Sequence, residues 1–443
     1  MNEQLLQDIV GAALKAGADA AEAVFAERQS LSVTVRMGAL EEVEREEARD
    51  LGLRVFVGQR QAVVSGSDIS ADAKAKLVDR AVAMARLAPE DRYAGLAPAD
   101  RLARGAPPDL DLYDATEVDP EALEARAREA EDASRAVEGV TNSNGGSAGW
   151  SAASWRLVTS SGFSGLHRAT SFSVSAQAIA GEGAGMERDA EGRATRWEAD
   201  LPAPREIGTD AGRRAVARLK PRKLASTTAP VIFENRIAAS VLGPMIGAIA
   251  GPAVARGVSF LKNHIGKPLF SSDVTVTDDP HRRRGLGSTP FDDEGVANAP
   301  LAIIDKGVLT CWLLNCSSAR QLGLETNGHA SRGLAGPPGV GTTNVTVLPG
   351  ERDQAGLMAD AGSGVLVNSL FGPSLNPNTG DWSVGCAGFW FENGEIAYPV
   401  SEITVAGNLI EAYGRLVPGS DLEFRGASNA PSLLVDALAI AGK

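Results

Sequence analysis

Residues Val231–Leu261 read VIFENRIAASVLGPMIGAIAGPAVARGVSFL. No charged side chain falls between Ile237 and Ala255. Ile237, Val241, Met245 and Ile249 recur four residues apart, and Leu242 and Ile246 widen the stripe. That spacing predicts a helix buried on most sides. Ala238, Ala239, Gly243, Gly247, Ala248 and Gly251 are small enough to let neighbouring backbone come close. Pro244 removes one helix bond and predicts a kink. The run is about long enough to cross a bilayer. Its weak hydropathy, its Gly, Ala and Pro content and its polar flanks argue for a protein interior instead.

Around this helix the pattern is of strands. Pro230–Glu234 leads into it. Val274–Thr277, Leu301–Ile304, Val308–Leu314, Gly341–Leu348, Gly364–Leu370, Trp382–Glu392, Glu395–Val400, Ile403–Ala406 and Leu433–Ile440 follow it. Many short strands and few helices predict a β-rich, barrel-like domain over 227–443, built around the buried helix. No fixed-period repeat is present.

The N-terminal half reads as mixed helix and antiparallel sheet, so the fold class is α+β. Asn2–Ala16 is amphipathic and stops at Gly17. Ala20–Glu27, Ser30–Met37, the charged Glu41–Glu46, Gly52–Val57 and Gln61–Ser65 are predicted strands, the last two joined by a turn at Gly58-Gln59. The charged strand is expected at an edge or facing water. Ser70–Ala88 is a helix that closes a first unit, 1–88. Residues 89–118 carry Pro89, Pro98, Pro107 and Pro108 with little periodicity and read as a linker. Asp119-Pro120 is a helix start and opens a middle α+β unit, 119–226. That helix runs to about Val137. Short strands broken by glycine turns at Asn144-Gly145-Gly146, Ser161-Gly162 and Gly181–Gly185 are expected next, then a helix over Glu206–Leu219.

At 443 residues the chain exceeds one ordinary core. A net charge of −13 disfavours nucleic-acid phosphates and anionic membrane as partners. The basic triplet Arg282-Arg283-Arg284 follows Asp278-Asp279 and reads as a solvated loop. Cys311, Cys316 and Cys386 are too few for a disulfide framework. The opening MNEQLLQDIV lacks the basic and apolar regions of a secretory signal. The expected location is cytoplasmic.

Candidate chemistry is sparse. A zinc site needs His, Cys or carboxylate ligands, usually two close together on one element. His167, His264, His281 and His329 never stand three or four apart. A site from His264, His281 and Cys311 is the remaining spatial option. Gly145-Gly146-Ser147-Ala148-Gly149 matches a nucleophile-elbow pattern, which requires a strand before it and a helix after it. Trp150–Thr159 reads as strand, so a hairpin turn is favoured there. Asp292, Asp293 and Glu294 could bind a cation or act as a base, or could cap a glycine-bounded turn. His329 lies in a Gly-rich stretch where it could touch a peptide or sit in a surface loop.

Several blocks resemble the PmbA/TldD family of zinc-dependent peptidases. They are LGLRVFVGQRQAVVSGSDIS at Leu51–Ser70, the Asp292-Asp293-Glu294-Gly295 block, and NPNTGDWSVGCAGFWFENGEIAYPV at Asn376–Val400. An exposed strand edge in the last block could pair with an extended peptide. The resemblance implies a two-subunit assembly whose catalytic subunit carries His-Glu-x-x-x-His on the central helix and a late cysteine. The matching residues here are Gly243, Pro244 and Ala248, and the late stretch is Phe424-Arg425-Gly426-Ala427-Ser428. By that resemblance this is a PmbA/TldE-type subunit with no catalytic residue, metal site or cofactor of its own. Zinc is expected in a TldD-type partner, and extended peptide is the expected substrate. Asp292, Asp293, Glu294 and His329 are then possible substrate-lining residues. A homodimeric peptide-binding scaffold and a self-sufficient hydrolase using the carboxylates near Asp292–Glu294 are the alternatives.

Overall fold

A computed structural model describes residues 3–442, and the expected helix start at Asn2 lies outside them. Helix α1 (Glu3–Lys15) buries Leu6, Ile9, Val10 and Ala13. Strands β1 (Ala20–Arg36), β2 (Ala39–Val57) and β3 (Arg60–Gly66) follow. Four of the expected strands are therefore two long ones. Nothing between Glu27 and Ser30, or between Glu46 and Gly52, breaks an extended chain, and cross-strand pairing carries through both polar stretches. Helix α2 (Ala71–Leu87) is capped by the Ser70 hydroxyl, which accepts from the Ala73 amide at 3.3 Å.

Helix α3 (Pro120–Arg135) starts as expected, with the Asp119 carboxylate accepting from Ala122 N at 2.7 Å. It is followed by β4 (Val140–Thr159), β5 (Ser164–Ala180), β6 (Glu187–Thr195) and α4 (Pro204–Ala217). The expected turn at Asn144–Gly146, and with it the hairpin reading of Gly145–Gly149, does not form. These residues lie inside β4, where the register shifts between Ser143 and Gly145. Gly146 has another reason to be glycine: a Cβ there would meet Ala127 O of α3 at 2.1 Å.

All six strands make one antiparallel sheet in the order β3-β2-β1-β4-β5-β6. The β1–β4 pairing, from Glu22–Thr159 to Val35–Gly146, unites the first and middle segments. Helices α1 and α2 cover one end of the sheet over Ala21, Ala23, Phe25 and Leu53. Helices α3 and α4 cover the other end, over Val174, Ala176 and Ala178 and beside Leu31 and Val33. Residues 89–118 form no regular strand or helix, yet they are stitched down. Leu110 and Leu112 are buried, and Leu112 O accepts from Thr170 N at 2.9 Å.

The C-terminal part begins with β7 (Thr227–Phe233). The charge-free run is a rod in pieces: α5 (Asn235–Ala238), a 3-10 turn at Ala239–Leu242, α6 (Gly243–Ile249) and α7 (Gly251–Ala255). The expected single kinked helix is thus corrected. Pro244 sits in the first turn of α6, where no intrahelical N–H is needed, and Ala250 is extended. Strands β8 (Val276–Asp278), β9 (Leu301–Asp305) and β10 (Val308–Leu309), helix α8 (Cys316–Leu322), strands β11 (Ala330–Ser331), β12 (Gly339–Val340) and β13 (Val345–Val347) and helix α9 (Gln354–Ala361) come next. Then follow β14 (Gly364–Leu375), β15 (Asp381–Glu392), β16 (Glu395–Asn408), α10 (Leu409–Gly414), β17 (Leu416–Pro418), β18 (Ser428–Asn429) and β19 (Leu433–Ala441). Two expected strands, Glu395–Val400 and Ile403–Ala406, are the single strand β16. Strands β7, β14, β15, β16 and β19 pair in a ring, closed by β16–β19 and β19–β7, which makes a five-stranded barrel. The fold is α+β, as the sequence predicts. Among the described residues no helix is long and apolar enough to cross a membrane.

Candidate functional site

The rod packs one side into the largest core. Val241, Leu242, Met245, Ala248 and Ile249 join Val231, Phe233, Val365, Val384 and Tyr413 there. The Tyr413 hydroxyl donates to Val241 O at 3.0 Å, and Ser259 Oγ donates to Ala248 O at 2.7 Å. At Ala250 the helix is interrupted by a neighbour: Gly251 N donates to Leu313 O at 2.7 Å, and Leu313 N to Ile249 O at 3.0 Å. Gly251 permits that approach, since a Cβ would fall 2.4 Å from Ser318 Oγ. Gly243 and Gly247 behave differently. Both are exposed, and a Cβ on either would meet nothing within 4 Å. Their smallness leaves an open, side-chain-free face instead of admitting a neighbour. Ala248 points into the core.

The late stretch Phe424–Ser428 lies against the middle segment. Arg425 Nη1 bonds Glu191 Oε1 at 2.9 Å, and its Nη2 meets Glu423 at 2.5 Å. Around Glu191 a charge network forms. Arg193 pairs with Glu191 and with Glu423, Arg214 reaches Glu191 at 3.2 Å and Glu234 at 3.7 Å, and Arg236 joins Glu234 to Asp189. Arg218 adds a 3.0 Å bond to Asp189. Burial pushes Glu234 up to about 7 against the pull of Arg214.

A second buried network joins the first sheet to the C-terminal part. Glu22 and Arg54 lie directly across β1 and β2, 3.2 Å apart. Arg54 also stands 3.9 Å from Glu294, and Arg332 pairs with Glu22. Asp292 accepts from the amides of Glu294, Val296 and Ala330 at 2.8–3.0 Å. Asp293 accepts from Arg332 N at 2.8 Å, and Glu294 from Cys316 N, at the start of α8, at 2.7 Å. All three carboxyls are raised above their ordinary range, chiefly by burial, with Asp293 at about 6. Their oxygens hold loops together, the work of a capped turn. His329 is 5% exposed; its Nε2 lies 3.2 Å from Asp278 and its Nδ1 3.0 Å from Asn327 O.

The structure brings Asp292, Asp293 and Glu294 together with Glu22, Arg54 and Arg332, which the sequence reading missed. The signal was present: Glu22 and Arg54 interrupt AAEAVF and LGLRVFV, where every neighbour is apolar. It does not assemble His264, His281 and Cys311. His281 is spent on Asn298, 2.9 Å away, and no group of three potential metal ligands stands together among the described residues. Gly243, Pro244 and Ala248 offer no donor atom, so the residues at this place do not fit zinc.

Three successive stretches match the PmbA/TldA metallopeptidase domains: domain 1 over residues 21–85, the central domain over 113–219 and the C-terminal domain over 226–442. The chain belongs to the PmbA/TldD family. Metalloprotease PmbA of Escherichia coli O157:H7 is 38% identical, over 99% of this chain and 97% of that protein. A Metalloprotease PmbA homolog of Haemophilus influenzae is 35% identical, over 99% and 96%. A Bacteroides thetaiotaomicron crystal structure, described as a candidate modulator of DNA gyrase, superposes with a TM-score of 0.92. It is 28% identical and covers 100% of this chain and 99% of its own. TldE of Thermococcus kodakarensis shares the fold at TM-score 0.88 and 19% identity, over 99% and 100%. PmbA/TldD family membership accounts for the shared fold.

Proposed function

We propose that this chain is the non-catalytic half of a cytoplasmic, two-subunit, zinc-dependent peptidase acting on peptides and unfolded proteins. The observation that carries the reading is the open face of α6. Where the family's catalytic subunit would present ligands and a base, Gly243 presents no side chain, Pro244 has no proton-accepting group, and Ala248 faces the core. Related proteins are named metalloproteases; this reading assigns the metal to a TldD-type partner. This chain then supplies a wall of the chamber that admits extended polypeptide and positions the partner's site. The occupied oxygens of Asp292 and Glu294 weigh against a self-sufficient carboxylate hydrolase.

The test is reconstitution. The purified chain alone is expected to leave an unfolded protein intact. Co-expression with the His-Glu-x-x-x-His subunit of the same organism should yield a complex that cuts it, and replacing that subunit's glutamate should abolish cutting. Chelator-sensitive cleavage by this chain alone would overturn the reading.

A further inference from the structure

Strand β2 is paired on both sides only over part of its length. Strand β1 lines it from Ala39 to Phe56, whereas β3 reaches no further than Leu51. Among the described residues no strand therefore lies against the outer edge over Ala39–Asp50, and every residue from Ala39 to Glu47 is exposed. A bare edge of this length offers a row of backbone donors and acceptors to another extended chain.

The side chains beside that edge specify which chain. Arg45 pairs with Glu47 at 2.8 Å, Arg49 with Glu27 at 3.3 Å and Arg36 with Glu41 at 3.4 Å. Glu42, Glu44 and Glu46 have no ion pair among the described residues. They alternate, so they share one face of the strand about 7 Å apart. Across β1 they stand beside Thr34, Ser32 and Ser30, and beyond these lie Ser147, Gly149 and Ser151. No helix core lies on that face; Leu31, Val33 and Val35 carry the helix-covered side. A second copy of this chain added antiparallel would bring the same three glutamates against themselves, which like-charge repulsion opposes. A strand with Lys or Arg at every second residue would set its cations opposite them.

We propose that the outer edge of β2 at Ala39–Asp50 captures substrate polypeptide as an added strand, selecting segments with basic residues at alternate positions through Glu42, Glu44 and Glu46. The inference rests on the peptide-handling role proposed above, but it is testable on this chain without the partner. The probe is a fluorescein-labelled peptide of alternating threonine and lysine, followed by anisotropy. Controls are a peptide of the same composition with its lysines consecutive and a peptide of alternating threonine and glutamate. The alternating basic peptide should bind, and E42Q/E44Q/E46Q should weaken it about tenfold. In an extended strand alternate residues point their amides to the same side. Methylating all lysine nitrogens or all threonine nitrogens should therefore abolish binding in one case and spare it in the other. No binding of the alternating basic peptide, equal binding of the consecutive-lysine peptide, or equal binding of the two methylated peptides would overturn the inference. If the reconstituted complex still cleaves unfolded protein in that event, the edge alone has failed. If the edge binds and no complex cleaves, the peptidase reading has failed.

Discussion

The barrel and the six-stranded sheet solve the problem of strand edges in opposite ways. In the barrel, β19 pairs with both β16 and β7, and every ring strand is matched on two sides. Its core is one continuous cluster that takes in the rod, the barrel wall and the five-stranded sheet of order β10-β9-β8-β13-β18. The six-stranded sheet stays open. Its apolar contacts divide into separate clusters under α1–α2 and under α3–α4. Where it meets the C-terminal part, the seam combines buried ion pairs, Arg54 with Glu294 and Arg332 with Glu22, with an apolar cluster of Val24, Leu157, Phe163 and Phe291. Closure gives rigidity to the barrel, and openness leaves the sheet a surface that other chains can reach.

The sharpest way to break this contrast is to unbalance the seam. Arg54→Met removes the cation that faces both Glu22 and Glu294 and leaves the buried Glu294 without one, while Arg332 still pairs with Glu22. The expected loss is about 3–5 kcal/mol, read by urea unfolding, with signals from the sheet melting ahead of signals from the barrel. A single coincident transition would show that sheet and barrel are not separable in this way. Met245→Ala probes the other side of the comparison. It deletes a fully buried side chain from the rod and should cost about 2–4 kcal/mol, with the barrel signals lost first.

The network around Glu234 adds a pH dependence. Its folded-state value is raised, from an ordinary 4.5 to about 7. A raised carboxyl favours folding fully below its unfolded value and loses that contribution as pH climbs through the folded one. Between about pH 4.5 and pH 8 the wild type should lose roughly 1–3 kcal/mol relative to Glu234→Gln. Thermal melts of the two proteins at both pH values check it, and parallel curves would count against it. The smallest effect belongs to the open face of α6. Gly247→Ala meets nothing and removes backbone freedom from the unfolded chain, so a gain of about 0.5–1 kcal/mol is expected. A loss would mean that this face is covered.

Local chemistry made much of this legible in the sequence. Asp119-Pro120 announced its helix, and the alternation at Ser30–Met37 announced a strand with one apolar side. What the sequence concealed was set at long range. Gly145-Gly146 looks like a turn because glycine suits turns, but here Gly146 clears space for α3 passing over β4. The rod breaks at Ala250 because Leu313, distant in the chain, takes over the backbone bonds of Ile249 and Gly251. Of the candidate site, the lack of donor atoms at Gly243, Pro244 and Ala248 is plain in the sequence, but only the family resemblance marks those positions as a motif. The partners of Asp292–Glu294 could not, because Glu22, Arg54 and Arg332 reach them only through tertiary packing.

We propose that a chain with this rod face carries no catalytic metal. Elemental analysis of the purified, unchelated chain, followed on the same sample by a peptide-hydrolysis assay, tests it most directly. Zinc far below one equivalent per chain and no turnover are expected. One tightly held equivalent together with turnover would contradict it.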